Sequence, residues 1–141
     1  MDKKTLQKLE YPKIIRLLAE RCSTLPGREL ADKLLPSVDL AEIEQLQEET
    51  SEAREVLRLY PSFTLGGVRD IRAFLRKAEV GGIVEPEEFL SIYDTILAGR
   101  KIKSFFNKEG QKYQLLSAYA SQLAVFPALE EEIKKTITAE G

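Results

Sequence analysis

The residue types that could do chemistry are few. The chain has no His and a single Cys, Cys22. That excludes His-based proton transfer, His metal ligation, an internal disulfide and a Cys-based zinc site. Cys22 follows Arg21 in what reads as the last turn of a helix, whereas a reactive thiolate prefers a helix N-terminus. It is expected to be a packed core thiol. Carboxylates come in runs: Glu48-Glu49, Glu87-Glu88 and Glu130-Glu131-Glu132. A hydrolytic acid–base pair needs one member in an apolar pocket that raises its pKa. These runs are polar, and two stand at expected helix N-termini, where they answer the helix dipole. None has EF-hand spacing. Gly66-Gly67 and Gly81-Gly82 raise the question of a phosphate loop. A Walker loop needs G-x-x-x-x-G-K-[ST], and neither pair has that spacing or a following Lys-Ser/Thr. The glycines read as turn residues that supply positive φ between helices. No residue is assigned a catalytic, cofactor-binding or metal-ligating role.

Two basic groups remain. Arg69, Arg72, Arg76 and Lys77 follow Gly66-Gly67, and the first three, spaced three and four apart, are expected on one helical face. Arg100, Lys101, Lys103 and Lys108 crowd a later helix beside Phe105 and Phe106. Arg69, Arg72, Arg76, Lys77, Arg100, Lys101 and Lys103 are the candidates for contact with nucleic-acid phosphates. The alternative is solvated charge and dipole compensation at helix C-termini. Residues 61–110 hold 8 basic and 7 acidic side chains, and the whole chain carries a net charge of −2. That balance favours solvated charge and is not the footprint of a stand-alone nucleic-acid binder.

The elements that must position these groups are helical. At 141 residues, 43% hydrophobic and 31% charged, the chain has the composition of one ordinary globular domain. No apolar run approaches the ~20 residues of a membrane-spanning helix. The N-terminus lacks the apolar stretch of a signal peptide, so a cytoplasmic protein is expected. Asp2 to Glu10 can open with a short helix, and Pro12 suits the first position of the next. Ile14, Ile15, Leu17, Leu18 and Cys22 give that helix a broad apolar face. Pro26-Gly27 is expected to punctuate it, with a third segment over 28–35. Asp39 and Glu42 have capping-box spacing. Beyond them Ile43, Leu46, Thr50, Ala53, Leu57 and Tyr60 recur in steps of three and four, a heptad-like seam expected to pack on another helix. Residues 61–67 break the helix, 70–78 resume it, and Pro86 opens a long helix to about residue 107. Its buried face would hold Phe89, Ile92, Tyr93, Ile96, Leu97, Ile102 and Phe106, with Gly99 allowing close approach. Two more helices fit 111–122 and 126–137. No period-two alternation supports a sheet.

Several stretches together carry a resemblance. Thr5-Leu6-Gln7-Lys8-Leu9-Glu10-Tyr11-Pro12-Lys13-Ile14-Ile15 resembles the opening of the bacterial MutS-related endonucleases, the second MutS branch, which ends in a small Smr nuclease domain. The likeness continues at Leu34-Leu35-Pro36-Ser37 and Glu48-Glu49-Thr50-Ser51-Glu52-Ala53. It is sharpest in Leu65-Gly66-Gly67-Val68-Arg69-Asp70-Ile71-Arg72, and runs on from Lys77 to Glu88. Where the family often has Ser before the Pro of the long helix, this chain has Glu85, a poorer N-cap.

The resemblance implies an all-α, irregular multi-helix bundle, the first part of the MutS core or lever region. Residues 1–141 would be a single helical domain at the N-terminus of a longer multidomain protein. That parent would be an ATP-dependent, nucleic-acid-binding homodimer and endonuclease that binds ATP and Mg outside this segment. Its partners would be its own remaining core, clamp and ATPase domains, with DNA or the ribosome and its rRNA. Family roles are suppression of homologous recombination and rescue of collided ribosomes. The segment itself would be a non-catalytic scaffold. A stand-alone helical module that engages a partner protein is the alternative.

Overall fold

The computed structural model describes residues 2–140, with side chains as far as residue 136. Among these it is 70% helical, with eight helices and no strand, the all-α bundle that the periodicity predicts. Residues up to Gln47 and residues from Glu48 onward form two compact units, and the division falls inside one helix. Among the described residues no helix is long and apolar enough to cross a membrane.

In the first unit, α1 (Lys3–Lys8) starts where the Asp2 carboxylate accepts the Thr5 N–H at 2.7 Å. Glu10, at φ 54°, turns the chain into α2 (Tyr11–Arg21). Pro12 sits one position later than expected, still in the first turn, where its missing N–H is no loss. α3 (Leu25–Asp32) corrects the sequence reading. Thr24 Oγ1 accepts the Gly27 N–H at 3.2 Å, so Pro26-Gly27 lies in the first turn of α3 and does not end α2. The buried residues of α2 and α3 are two alanines, Ala19 and Ala31. The broad apolar face expected of α2 is largely open, with Ile14, Leu17 and Leu18 all exposed. Cys22 is not a core thiol either. It is the half-buried C-cap of α2, with Sγ 3.5 Å from the Leu18 carbonyl oxygen.

Asp39 caps α4 (Leu40–Leu59) as expected, its Oδ1 accepting the Ala41 and Glu42 N–H groups at 2.9 and 3.2 Å. The return half of the box runs through a third residue. The Asp39 N–H donates to Ser37 Oγ, and the Ser37 hydroxyl donates to the Glu42 carboxylate.

The second unit holds the end of α4 with α5 (Arg72–Glu79), α6 (Pro86–Glu109), α7 (Gln114–Ser121) and α8 (Pro127–Glu140). Its core is Val56, Phe106, Tyr113 and Ala120, walled by Tyr60, Phe63, Ile102, Phe105 and Leu116. The rings interlock edge to face. Phe105 lies 4.9 Å from Tyr60 and 5.0 Å from Phe106, centroid to centroid. Of the face expected of α6, Ile92 and Phe106 are buried, as is Ala98, while Phe89 stays open. A Cβ on Gly99 would meet nothing within 4 Å, so the close approach expected there occurs elsewhere. It occurs at Gly110, where a Cβ would lie 2.4 Å from the Phe106 carbonyl oxygen and 2.8 Å from Ser117 Oγ. Only Gly fits between α6 and α7.

The α4 seam holds in part, with Ile43, Ala53 and Tyr60 half-buried. Leu46 and Leu57 are 43% and 61% exposed, whereas Val56 is 1% exposed. The stripe turned inward is Glu49, Glu52, Val56 and Tyr60. Its cause is polar. Glu52 Oε1 and Oε2 accept the Leu115 and Leu116 N–H groups at 3.2 and 2.9 Å, the N2 and N3 donors of α7. Glu49 accepts the Tyr119 hydroxyl at 2.8 Å, and Glu55 pairs with Lys112 at 3.1 Å.

Truncation separates the two stripes. Val56→Ala should cost about 2–3 kcal/mol, from lost methyl burial plus a cavity. Leu57→Ala should cost less than about 1 kcal/mol. Urea midpoints of both variants measure the difference, and equal shifts would restore the heptad seam. Glu52→Ala should cost about 1–3 kcal/mol, the range for a cap and a charge-assisted bond, read from the same midpoints.

Candidate nucleic-acid interface

The seven basic candidates fall in two places, the loop and helix after Gly67 and the second half of α6. The loop is strapped to α6. Gly67 has φ +95°, and a Cβ there would lie 3.3 Å from the Asp94 carbonyl oxygen and 3.4 Å from Ala98 Cβ. The Arg69 N–H donates to Thr95 Oγ1 at 3.0 Å, and the Thr95 hydroxyl donates to the Ser91 carbonyl at 2.8 Å. Gly66-Gly67 thus serves a close approach of backbone to helix and has no phosphate-loop geometry.

Arg69, Arg72 and Arg76 do not share one helical face. α5 begins at Arg72, so Arg69 lies in the preceding loop. The start is set by Asp70, whose Oδ1 accepts the Arg72 N–H at 3.2 Å. The same carboxylate takes the Arg72 guanidinium in both oxygens, Nε and Nη2 each at 2.7 Å. Those hydrogen bonds hold the Asp70 carboxyl down at about 2, below its ordinary 3.8.

Lys77 is engaged as well. Its Nζ lies 2.8 Å from Glu88 Oε2, which also accepts the Glu85 N–H at 2.8 Å. The weak N-cap expected at Glu85 is thus helped from Glu88, three residues on. The Lys77 ammonium, then the Glu85 N–H, hold the Glu88 carboxyl below its ordinary pKa. α5 closes in a Schellman pattern at the second glycine pair. Gly81, at φ +76°, donates its N–H to Ala78, and Gly82 donates to Lys77.

On α6, Arg100 Nε meets Glu130 Oε2 at 3.1 Å and ties α6 to α8. Glu130 is 8% exposed, so this member of the acidic run is a buried partner and not a solvated charge. Lys103 Nζ donates to the Ser121 and Leu123 carbonyls at the C-terminal end of α7. Arg72, Lys77, Arg100 and Lys103 therefore hold the fold together. Among the described residues Arg69, Arg76 and Lys101 are exposed and have no ion pair. Lys108, also exposed, shares a cleft of about 290 Å³ with Lys101, Tyr60, Phe63 and Phe105. No group of three or more His, Cys, Asp or Glu among the described residues could hold a metal.

Sequence reasoning missed Glu49, Glu52 and Glu130 as binding partners for other helices. A signal existed for two of them. Glu49 and Glu52 lie in helical register with Val56 and Tyr60.

No family model matches the chain. Its full length is 45% identical to endonuclease MutS2 of Pelotomaculum thermopropionicum and 38% identical to that of Symbiobacterium thermophilum. It is 40% identical over 144 residues to the MutS2 endonuclease of Geobacillus thermodenitrificans. In each case the chain is covered completely and spans 18% of the relative's length. The chain belongs to the MutS2 endonuclease family and corresponds to the N-terminal region of its members.

The Asp70–Arg72 pair gives a titration test. A carboxyl lowered from 3.8 to about 2 stabilises the fold fully above pH 3.8, and loses that contribution as pH falls through 2. Arg72→Ala should move the Asp70 midpoint up toward 3.8, followed by NMR of the side-chain carboxyl. An unmoved midpoint would mean that Arg72 is not its partner in solution.

Proposed function

We propose that this chain is the non-catalytic scaffold and lever segment of a cytoplasmic, MutS-like, ATP-dependent nucleic-acid-binding endonuclease. The observation that carries the reading is the end-to-end match to 18% of each relative's length. The rest of such a protein would supply a clamp, an ATPase that binds ATP and Mg, a homodimer interface and a nuclease. In this reading ATP is held outside this chain. It has no Walker spacing, and its glycine pairs form a strap on α6 and a helix cap. Suppression of homologous recombination and action on collided ribosomes through rRNA belong to the whole protein in this reading.

The segment's part would be mechanical. Bidentate, charge-assisted contacts join α4 to α7, and single ion pairs join α5 to α6 and α6 to α8. Such ties let a displacement at one helix carry to the next. Arg69 and Arg76, whose side chains make no ion pair among the described residues, are the residues of the first basic group that remain for nucleic-acid phosphates.

Two measurements test this. The purified chain, given ATP with Mg or plasmid DNA, should show no turnover above buffer. Activity that survives repurification and vanishes on point mutation would overturn the non-catalytic reading. In the full-length protein, Glu52→Ala should leave ATP affinity intact but reduce nucleic-acid stimulation of ATP turnover about five- to tenfold, a typical allosteric coupling. Full stimulation in that variant would remove the lever role.

A further inference from the structure

We infer that the cleft between the 61–64 loop and α6 binds a single-stranded nucleic acid, with successive phosphates on Lys101 and Lys108 and a base against Phe63 and Phe105. The inference rests on the reading that the parent protein handles nucleic acid, and it adds a site for it.

Lys101 and Lys108 are seven residues apart on α6, two turns along one face, so their Cα atoms are roughly 10 Å apart along the axis. Both are exposed, and neither has an ion pair among the described residues. Between them lie Tyr60, Phe63 and Phe105, each only partly buried, so the aromatic wall keeps accessible surface. The hydrogen-bonding groups around the cleft are mostly donors. Besides the two ammonium groups there are the Ser62 and Thr64 hydroxyls. Thr64 Oγ1 already accepts the Gly66 N–H at 2.9 Å, which leaves its proton to donate outward. The carboxylate in the cleft, Glu109, is engaged by the Tyr60 hydroxyl at 2.7 Å. That bond pushes the Tyr60 phenol up to about 12, so it keeps its proton and stays on Glu109 at neutral pH.

A cleft rich in donors and walled by aromatic rings fits an anionic ligand that also has a flat apolar face. A nucleotide has both parts: phosphate oxygens for lysine, and a base for the rings. An acidic peptide offers the charge but gains nothing from the aromatic wall. A cleft of about 290 Å³ has room for a base, and a base laid against the rings must be unstacked and unpaired. Lysine, a mobile point charge, suits phosphates without setting sequence preference.

The test uses the 141-residue chain and a fluorescent oligothymidylate of about twelve nucleotides at low salt, followed by anisotropy. Binding is expected. Lys101→Ala with Lys108→Ala should weaken it at least about tenfold and lower the log–log salt slope by about 1.4, at 0.7 per phosphate contact. Phe63→Leu, which keeps an apolar side chain, should weaken binding and leave the salt slope unchanged. An abasic strand of equal length should bind more weakly than oligothymidylate. Thermal melts of the lysine variants should match the parent, since neither residue supports the fold. No binding at low salt, an unaltered double-lysine variant, equal binding of the abasic strand, or equal competition by a polyglutamate peptide would overturn the proposal. If full-length protein binds nucleic acid while the chain does not, this site fails and the MutS-like reading stands.

Discussion

The carboxylate of Glu52 decides which way α4 faces. An eight-residue helix such as α7 is marginal alone, and its first N–H groups have no partner within the helix. Tyr113, at its N-cap, makes no side-chain cap bond, so the acceptors must come from elsewhere. They come from Glu52, 63 and 64 residues away in sequence. Placing that carboxylate at the N-terminus of α7 fixes the rotation of α4 about its axis. Val56 and Tyr60 then turn into the core one and two turns further on. Leu57, next to Val56 in sequence, must turn out. At its other end α7 is met by the Lys103 ammonium of α6. Negative charge thus sits at the N-terminus of α7 and positive charge at its C-terminus, both complementing its dipole.

The same economy governs the other cations. Lys77 binds a carboxylate at the start of α6, and Arg100 binds one in the first turn of α8. Exposed ion pairs contribute little, roughly 0–1 kcal/mol each. Arg100–Glu130 differs, because removing the arginine would leave a carboxylate buried without its counter-charge. Four of the seven basic candidates, Arg72, Lys77, Arg100 and Lys103, are used within the fold in this way. The free ones are therefore more informative than the local density of basic residues.

The helical class, the long α6, the Asp39 cap and the family resemblance were legible in the sequence, because each depends on residues close together in the chain or in fixed order. The rotation of α4 was not. Two stripes compete on that helix, 43/46/50/53/57/60 and 49/52/56/60, both with helical spacing and sharing Tyr60. Hydropathy favours the first because it contains leucines. The structure takes the second because α7 needs acceptors, and that need lies more than sixty residues downstream. Pro26-Gly27 misled for a local reason: Thr24 supplies a cap two residues earlier, which converts a stop into a first turn. The single helical face drawn through Arg69 failed because Asp70 spends its carboxylate on Arg72 and starts α5 there. Of the candidate site, sequence supplied the basic residues but not which of them are already bound.

The two units differ in how they are held. From Glu48 onward, interlocked rings and cross-helix caps give a dense core that resists local deformation. Among the described residues up to Gln47, the fully buried ones are Ala19 and Ala31, and the helices also rely on caps at Asp2 and Thr24 and on the Tyr11 hydroxyl donating to the Leu34 carbonyl at 3.1 Å. Leu17, Leu30 and Leu35 are more than half exposed there. Burial stabilises roughly in proportion to the apolar area removed from water. A unit with so little of it opens at low free-energy cost, whereas one built on aromatic packing does not. In the proposed lever, stiffness therefore belongs to the aromatic core around Val56 and Phe106, and compliance to the leucine-exposing helices α2 and α3.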